Sequence, residues 1–65
     1  MTDQEAKELK AALQTVRSQP HIEMLPEIVV TRIPKLEDLN LVESVKLPGF
    51  DRTYRLTDAG RVAAA

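Results

Sequence analysis

His21, two residues before Glu23, is the first place in this 65-residue chain to look for acid-base chemistry or a metal ligand. A metal centre built from nitrogen and sulfur donors needs several such side chains, and the chain has no cysteine and no second histidine. The pair follows Pro20 at a helix boundary, where local capping or solvent exposure is the expected role. Ser18 and Ser44 have no base that the sequence positions nearby, so nucleophilic catalysis has no support. Gly49 and Gly60 are isolated, one in a turn and one near a helix start, and build no phosphate-binding loop. An enzyme is therefore not expected, and neither a metal nor a cofactor is implied.

What remains is charge. Residues 1–30 carry three cations against five carboxylates, net −2, while residues 31–65 carry six against five, net +1. Guanidinium and ammonium groups neutralise phosphates, and arginine can also pair bidentately with guanine. The net charge of −1 and pI of 5.7 lack the basic excess that marks a nucleic-acid binder by composition alone. Phe50 and Tyr54 are the only aromatics, too few for the stacking platforms of single-strand binders.

The elements that position these residues can be read at both ends of the chain. Thr2 followed by Glu5 is a capping-box pattern, with the threonine hydroxyl accepting from the N3 amide and the glutamate reaching back. Ala6, Leu9, Leu13 and Val16 recur at helical spacing, Asp3 and Glu5 suit the positive end of the dipole and Arg17 the negative end. Pro20 ends the element, which predicts a first helix over residues 3–18. Residues 41–47 suit a strand, Pro48-Gly49-Phe50-Asp51 is turn chemistry and residues 52–57 alternate, which predicts a β-hairpin. Tyr54 and Leu56 fall on its packed face, with Thr53, Arg55 and Thr57 on the other. Thr57 can cap a last short helix over residues 58–64.

Residues 20–42 are harder, because Pro20, Pro26 and Pro34 cut them. As a helix, Leu25, Val29, Ile33, Leu36 and then Leu39 or Asn40 form a stripe, but Pro34 removes the amide that would bond to Val30. As a strand, residues 28–33 are rich in β-branched side chains. The preferred reading is a short helix from Pro26 to about Ile33, a kink at Pro34 and a further turn or two to Leu39.

Size and composition bound the rest. A single domain of this length buries only about 60% of its unfolded surface. With no disulfides, its stability must come from tight packing or a partner subunit. Apolar content of 43% with 29% charged residues argues for a folded domain. The apolar runs are far short of the roughly 20 residues that span a bilayer, and the N-terminus is acidic where a signal peptide is basic. A cytoplasmic protein with no membrane partner is expected.

Leu36-Glu37-Asp38-Leu39-Asn40-Leu41-Val42-Glu43, then a turn with Asp51-Arg52, then Tyr54-Arg55-Leu56-Thr57-Asp58-Ala59-Gly60-Arg61, resembles bacterial winged-helix transcriptional regulators, the MarR and PadR families in particular. The resemblance covers residues 30–62. In those families a recognition helix ends in a leucine-rich turn and a glycine, and a Leu-Val-Glu strand follows. A basic loop forms the wing, and a Leu-Thr-x-x-Gly segment starts the next helix. Asn40 stands at the glycine position, and asparagine is the next best residue for the left-handed backbone there.

The resemblance implies an α+β fold: a small winged helix-turn-helix spanning residues 1–65, with helices followed by a two-stranded wing and a short C-terminal helix. It also implies a dimeric regulator of transcription that binds duplex DNA. Thr31, Arg32 and Lys35 would then contact groove and phosphates, while Lys46, Arg52 and Arg55 grip the backbone from the wing. The residues before Pro26 are too few for a full second helix, and the usual C-terminal dimerisation helix has no counterpart before Ala65. A homodimer is thus expected to use helix 1.

A rival expectation is a protein-interaction module, an adaptor or inhibitor of a nucleic-acid machine. It is motivated by the low pI, by Pro34 and by Phe50 at the wing tip, where an exposed aromatic serves as a protein anchor unless it folds back on Tyr54. The arrangement of charge separates the two. Glu37, Asp38, Glu43 and Asp51 either interleave with the basic residues, as ordinary balanced surface charge does, or segregate from them and leave a face for phosphates.

Overall fold

The capping residue at each end of the chain starts the helix expected of it. In a computed structural model describing residues 2–65, the Thr2 hydroxyl accepts from the Glu5 amide at 3.1 Å and α1 runs Asp3–Ser18. The Thr57 hydroxyl accepts from the Gly60 amide at 3.0 Å and α3 runs Asp58–Ala64. Between them lie a 3₁₀ turn Ile22–Met24, α2 over Glu27–Asp38, and the antiparallel strands β1 (Val42–Val45) and β2 (Thr53–Leu56). This is an α+β, small winged-helix-like arrangement, with the loop between β1 and β2 as the wing.

Helix α2 continues through Pro34 without a break and ends at Asp38, close to the expected end. An interior proline costs about 3 kcal/mol in a helix, largely through a lost amide bond and a ring clash. Val29, Ile33 and Leu36 are buried on the inner face, and each such side chain contributes roughly 1.5–3 kcal/mol on burial. Three buried anchors outweigh one proline whose ring is exposed.

The end of α2 is fixed by its sequence. Asn40 has φ +59°, its amide donates to the Glu37 carbonyl at 2.9 Å, and the Leu41 amide donates to the Leu36 carbonyl at 2.9 Å. These two bonds form a Schellman ending with asparagine in the left-handed position. The Thr57 amide and hydroxyl then donate to the carbonyls of Leu41 and Asn40, at 3.0 and 2.7 Å, which docks the start of α3 on the end of α2. Gly60 makes that docking feasible, since a Cβ there would lie 1.9 Å from the Leu41 carbonyl oxygen.

The hairpin register pairs Val42 with Leu56, Glu43 with Arg55, Ser44 with Tyr54 and Val45 with Thr53. Leu47-Pro48-Gly49-Phe50 turns the chain, with Gly49 at φ +86° and the Phe50 amide donating to the Leu47 carbonyl at 3.3 Å. Thr53 was expected on the open face and is instead buried. Residues 20–22 run beside β2: the Tyr54 amide donates to Pro20, the Ile22 amide donates to Arg52, and His21 bridges Thr53. A one-residue third strand therefore covers the edge of β2.

One core joins these parts. Leu9, Ala12, Leu13 and Val16 of α1 meet the inner face of α2, Leu25, Val42, Tyr54, Leu56 and Ala64. Ala12 replaces the expected Ala6, which is exposed. No described helix is long and apolar enough to cross a membrane.

Candidate interaction surfaces

Because Val29, Ile33 and Leu36 face the core, α2 turns Glu27, Ile28, Thr31, Pro34, Lys35 and Asp38 outward. In a winged helix this is the side that would enter a groove. Here it offers one ammonium, Lys35, between two carboxylates. The Thr31 hydroxyl donates to the Ile28 carbonyl at 2.7 Å. Arg32 lies off this side and is paired with Glu8 of α1 at 2.7 Å.

The wing cations have acidic company as well. Arg55 is ion-paired with Glu43, its direct cross-strand partner. Lys46 and Arg52 line a shallow depression of about 350 Å³ together with Glu37 and Asp51. The Arg52 guanidinium is held above its ordinary value first by the Tyr54 side chain and then by Glu37 and Asp51, so the wing cation and the α2 carboxylate share one field. Over residues 27–55 five cations stand against five carboxylates. Arg32 and Arg55 are engaged within the chain. Lys35, Lys46 and Arg52 make no ion pair among the described residues, and neither do Glu27, Glu37, Asp38 or Asp51. The charges interleave.

Phe50 folds back, onto His21 and not onto Tyr54. The two rings are parallel within 3° with centroids 3.6 Å apart, and Phe50 stays 39% exposed. His21 Nδ1 lies 2.9 Å from the Thr53 hydroxyl. The imidazole is thus a strut between the wing tip and the edge of β2. Its sequence signal was slight, because a strand of one residue has no periodicity.

A second surface was not anticipated. Between α1 and α2 an apolar groove of about 280 Å³ has Ala11, Ala12 and Thr15 along α1, with Pro26, Ile28 and Val29 opposite. Ile28 is 63% exposed at its rim. Among the described residues the only charged side chains lining this groove are Glu8 and Arg32, which are paired with each other.

Comparison of the chain with models of protein families, with curated proteins and with solved structures gave no match.

Proposed function

We propose that this chain is a winged-helix-like protein-interaction module, an adaptor or inhibitor that acts by covering a protein surface. The observation carrying the reading is that Glu37 and Asp51 share one depression with Lys46 and Arg52, while Glu27 and Asp38 are exposed on α2 with Lys35. Phosphate neutralisation dominates affinity for duplex DNA. Three unpaired cations neutralise about three phosphates, and the unpaired carboxylates near them, Glu37 and Asp51 beside the wing cations and Glu27 and Asp38 on α2 with Lys35, oppose a polyanion. Fold alone does not decide between these uses.

Binding of duplex DNA, with a role in transcription regulation, is the second reading. It is favoured by the winged-helix-like order of elements and by Lys35, Lys46 and Arg52, which make no ion pair among the described residues. If these three cations set the affinity, the slope of log K against log salt is about −2.7.

The two readings part in a salt titration of binding to generic duplex DNA, starting at about 20 mM ionic strength, where even weak phosphate contacts register. Protein interaction predicts no saturable binding. A salt-dependent affinity that a Lys46→Ala/Arg52→Ala variant flattens would overturn it in favour of DNA.

A further inference from the structure

We infer that the outer edge of β1 takes an added β-strand from a partner protein, an extended segment that carries a carboxylate and a cation on one face. This rests on the protein-interaction reading and names the partner's chemistry. The two edges of the hairpin differ. On β2, the Tyr54 amide is bonded to Pro20 and the Arg52 carbonyl to Ile22. Successive residues of an antiparallel strand bond to opposite sides. Thr53 and Arg55 therefore bond towards β1, where Val45 and Glu43 face them. Val42 and Ser44 are left turning their amides and carbonyls away from β2. Among the described residues no backbone group outside the hairpin bonds to either, and Ser44 is exposed.

A free amide and carbonyl on an open strand edge are complemented by another extended backbone. The side chains select which one. Ser44 and Lys46 fall on the same face of the hairpin and line one depression with Glu37 of α2. Neither Lys46 nor Glu37 is ion-paired among the described residues. A strand laid beside β1 places one side chain opposite Ser44 and two more on that face, two residues to either side. A carboxylate on one of these meets Lys46, and an ammonium or guanidinium on the other reaches Glu37. A second copy of β1 fits less well. Antiparallel pairing centred on Ser44 sets Val42 opposite Lys46 and gives that ammonium no carboxylate from the added strand.

The test is an amide-resolved NMR titration of the full chain with two peptides capped at both ends, Thr-Lys-Val-Thr-Val-Glu-Thr and its charge-swapped form Thr-Glu-Val-Thr-Val-Lys-Thr. The two charge orders cover both directions in which a strand can add. Each is repeated with its three central amides N-methylated, which removes the donors an added strand needs. Ser44→Pro deletes the outward N–H, a change an edge strand tolerates, and leaves the Glu43 and Val45 bonds to β2 in place. Lys46→Glu reverses the charge beside it.

The expected result is a saturable shift of the Ser44 amide, with slowed hydrogen exchange there, at a dissociation constant of about 1 mM or tighter for one charge order. N-methylation, and Ser44→Pro read at Val45, each weaken binding at least about tenfold. Lys46→Glu transfers the preference to the other peptide. No saturable change at Ser44 with either peptide, or equal binding by the N-methylated forms, would overturn the inference. So would a Ser44 shift that follows the protein's own concentration, because a second copy would then hold the edge. Failure here and failure of the broader reading are separable. An edge that ignores both peptides in a protein that ignores DNA refutes strand addition alone, whereas peptide binding beside salt-dependent DNA binding refutes the reading of the wing face alone.

Discussion

The two surfaces that α2 helps to build differ in kind. Towards α1, its first turns border a groove that is apolar, small-walled and electrically cancelled by the Glu8 and Arg32 pair. Towards the wing, its last turns enter a field of alternating charge in which Glu37 and Asp51 sit beside Lys46 and Arg52. Apolar grooves gain affinity by excluding water, while mixed-charge faces mainly select partners and repel wrong ones. The difference teaches that the wing side carries both signs of charge close together, while the side towards α1 carries no excess of either.

The strongest way to break that contrast is to remove the carboxylates. A Glu27→Gln/Glu37→Gln/Asp38→Asn/Asp51→Asn variant keeps every cation and should acquire binding to duplex DNA. With three free cations its affinity should fall about 40-fold for a fourfold rise in salt, as measured by fluorescence anisotropy. If it remains inert, the carboxylates are not what closes the face.

Pro34 lies on the outward side of α2, between the two surfaces, and its effect should be confined to the helix. Replacing it with Ala should raise unfolding stability by up to about 3 kcal/mol in a urea melt. Neither peptide binding at the β1 edge nor the response to DNA should change. A loss of stability would mean that the proline ring makes contacts worth more than the missing amide bond.

A smaller effect is expected at the wing tip. Phe50→Ala removes the stack on His21 and should cost about 0.5–1.5 kcal/mol in the same melt. Faster amide exchange should follow at Gly49 and Asp51, with the groove between α1 and α2 unaffected. The smallest expected effect belongs to Glu43→Gln. Breaking its exposed pair with Arg55 should change stability by no more than about 1 kcal/mol, less at high salt.

The elements that carry their own punctuation were legible in the sequence. Thr2 and Thr57 as helix caps, Asn40 as a left-handed helix end and Pro48-Gly49 as a turn are local devices, and each acts within a few residues of itself. Pro34 left the helix through residues 26–39 hard to read, because the cost of an interior proline is local while the burial of Val29, Ile33 and Leu36 that offsets it comes from α1 and the sheet. Thr53 misled for a similar reason. Its cover is His21, 32 residues away in the chain and joined by a single bridge.

The candidate cations lie on α2 and the hairpin, but their partners were out of sight. Glu8 reaches Arg32 across the interface of α1 and α2, and Glu43 reaches Arg55 across the hairpin. Counting charges along the chain gave a slight basic excess in the second half. Only three-dimensional placement shows how the two signs are mixed.

The most direct measurement is a pair of amide-resolved NMR titrations on the same labelled protein, one against the two charged peptides and one against duplex DNA at low salt. The expected result is that the Ser44 signal shifts with peptide while those of Lys35, Lys46 and Arg52 ignore DNA. Shifts at Lys35, Lys46 and Arg52 on adding DNA, with Ser44 indifferent to peptide, would contradict it and make the wing face a surface for phosphates.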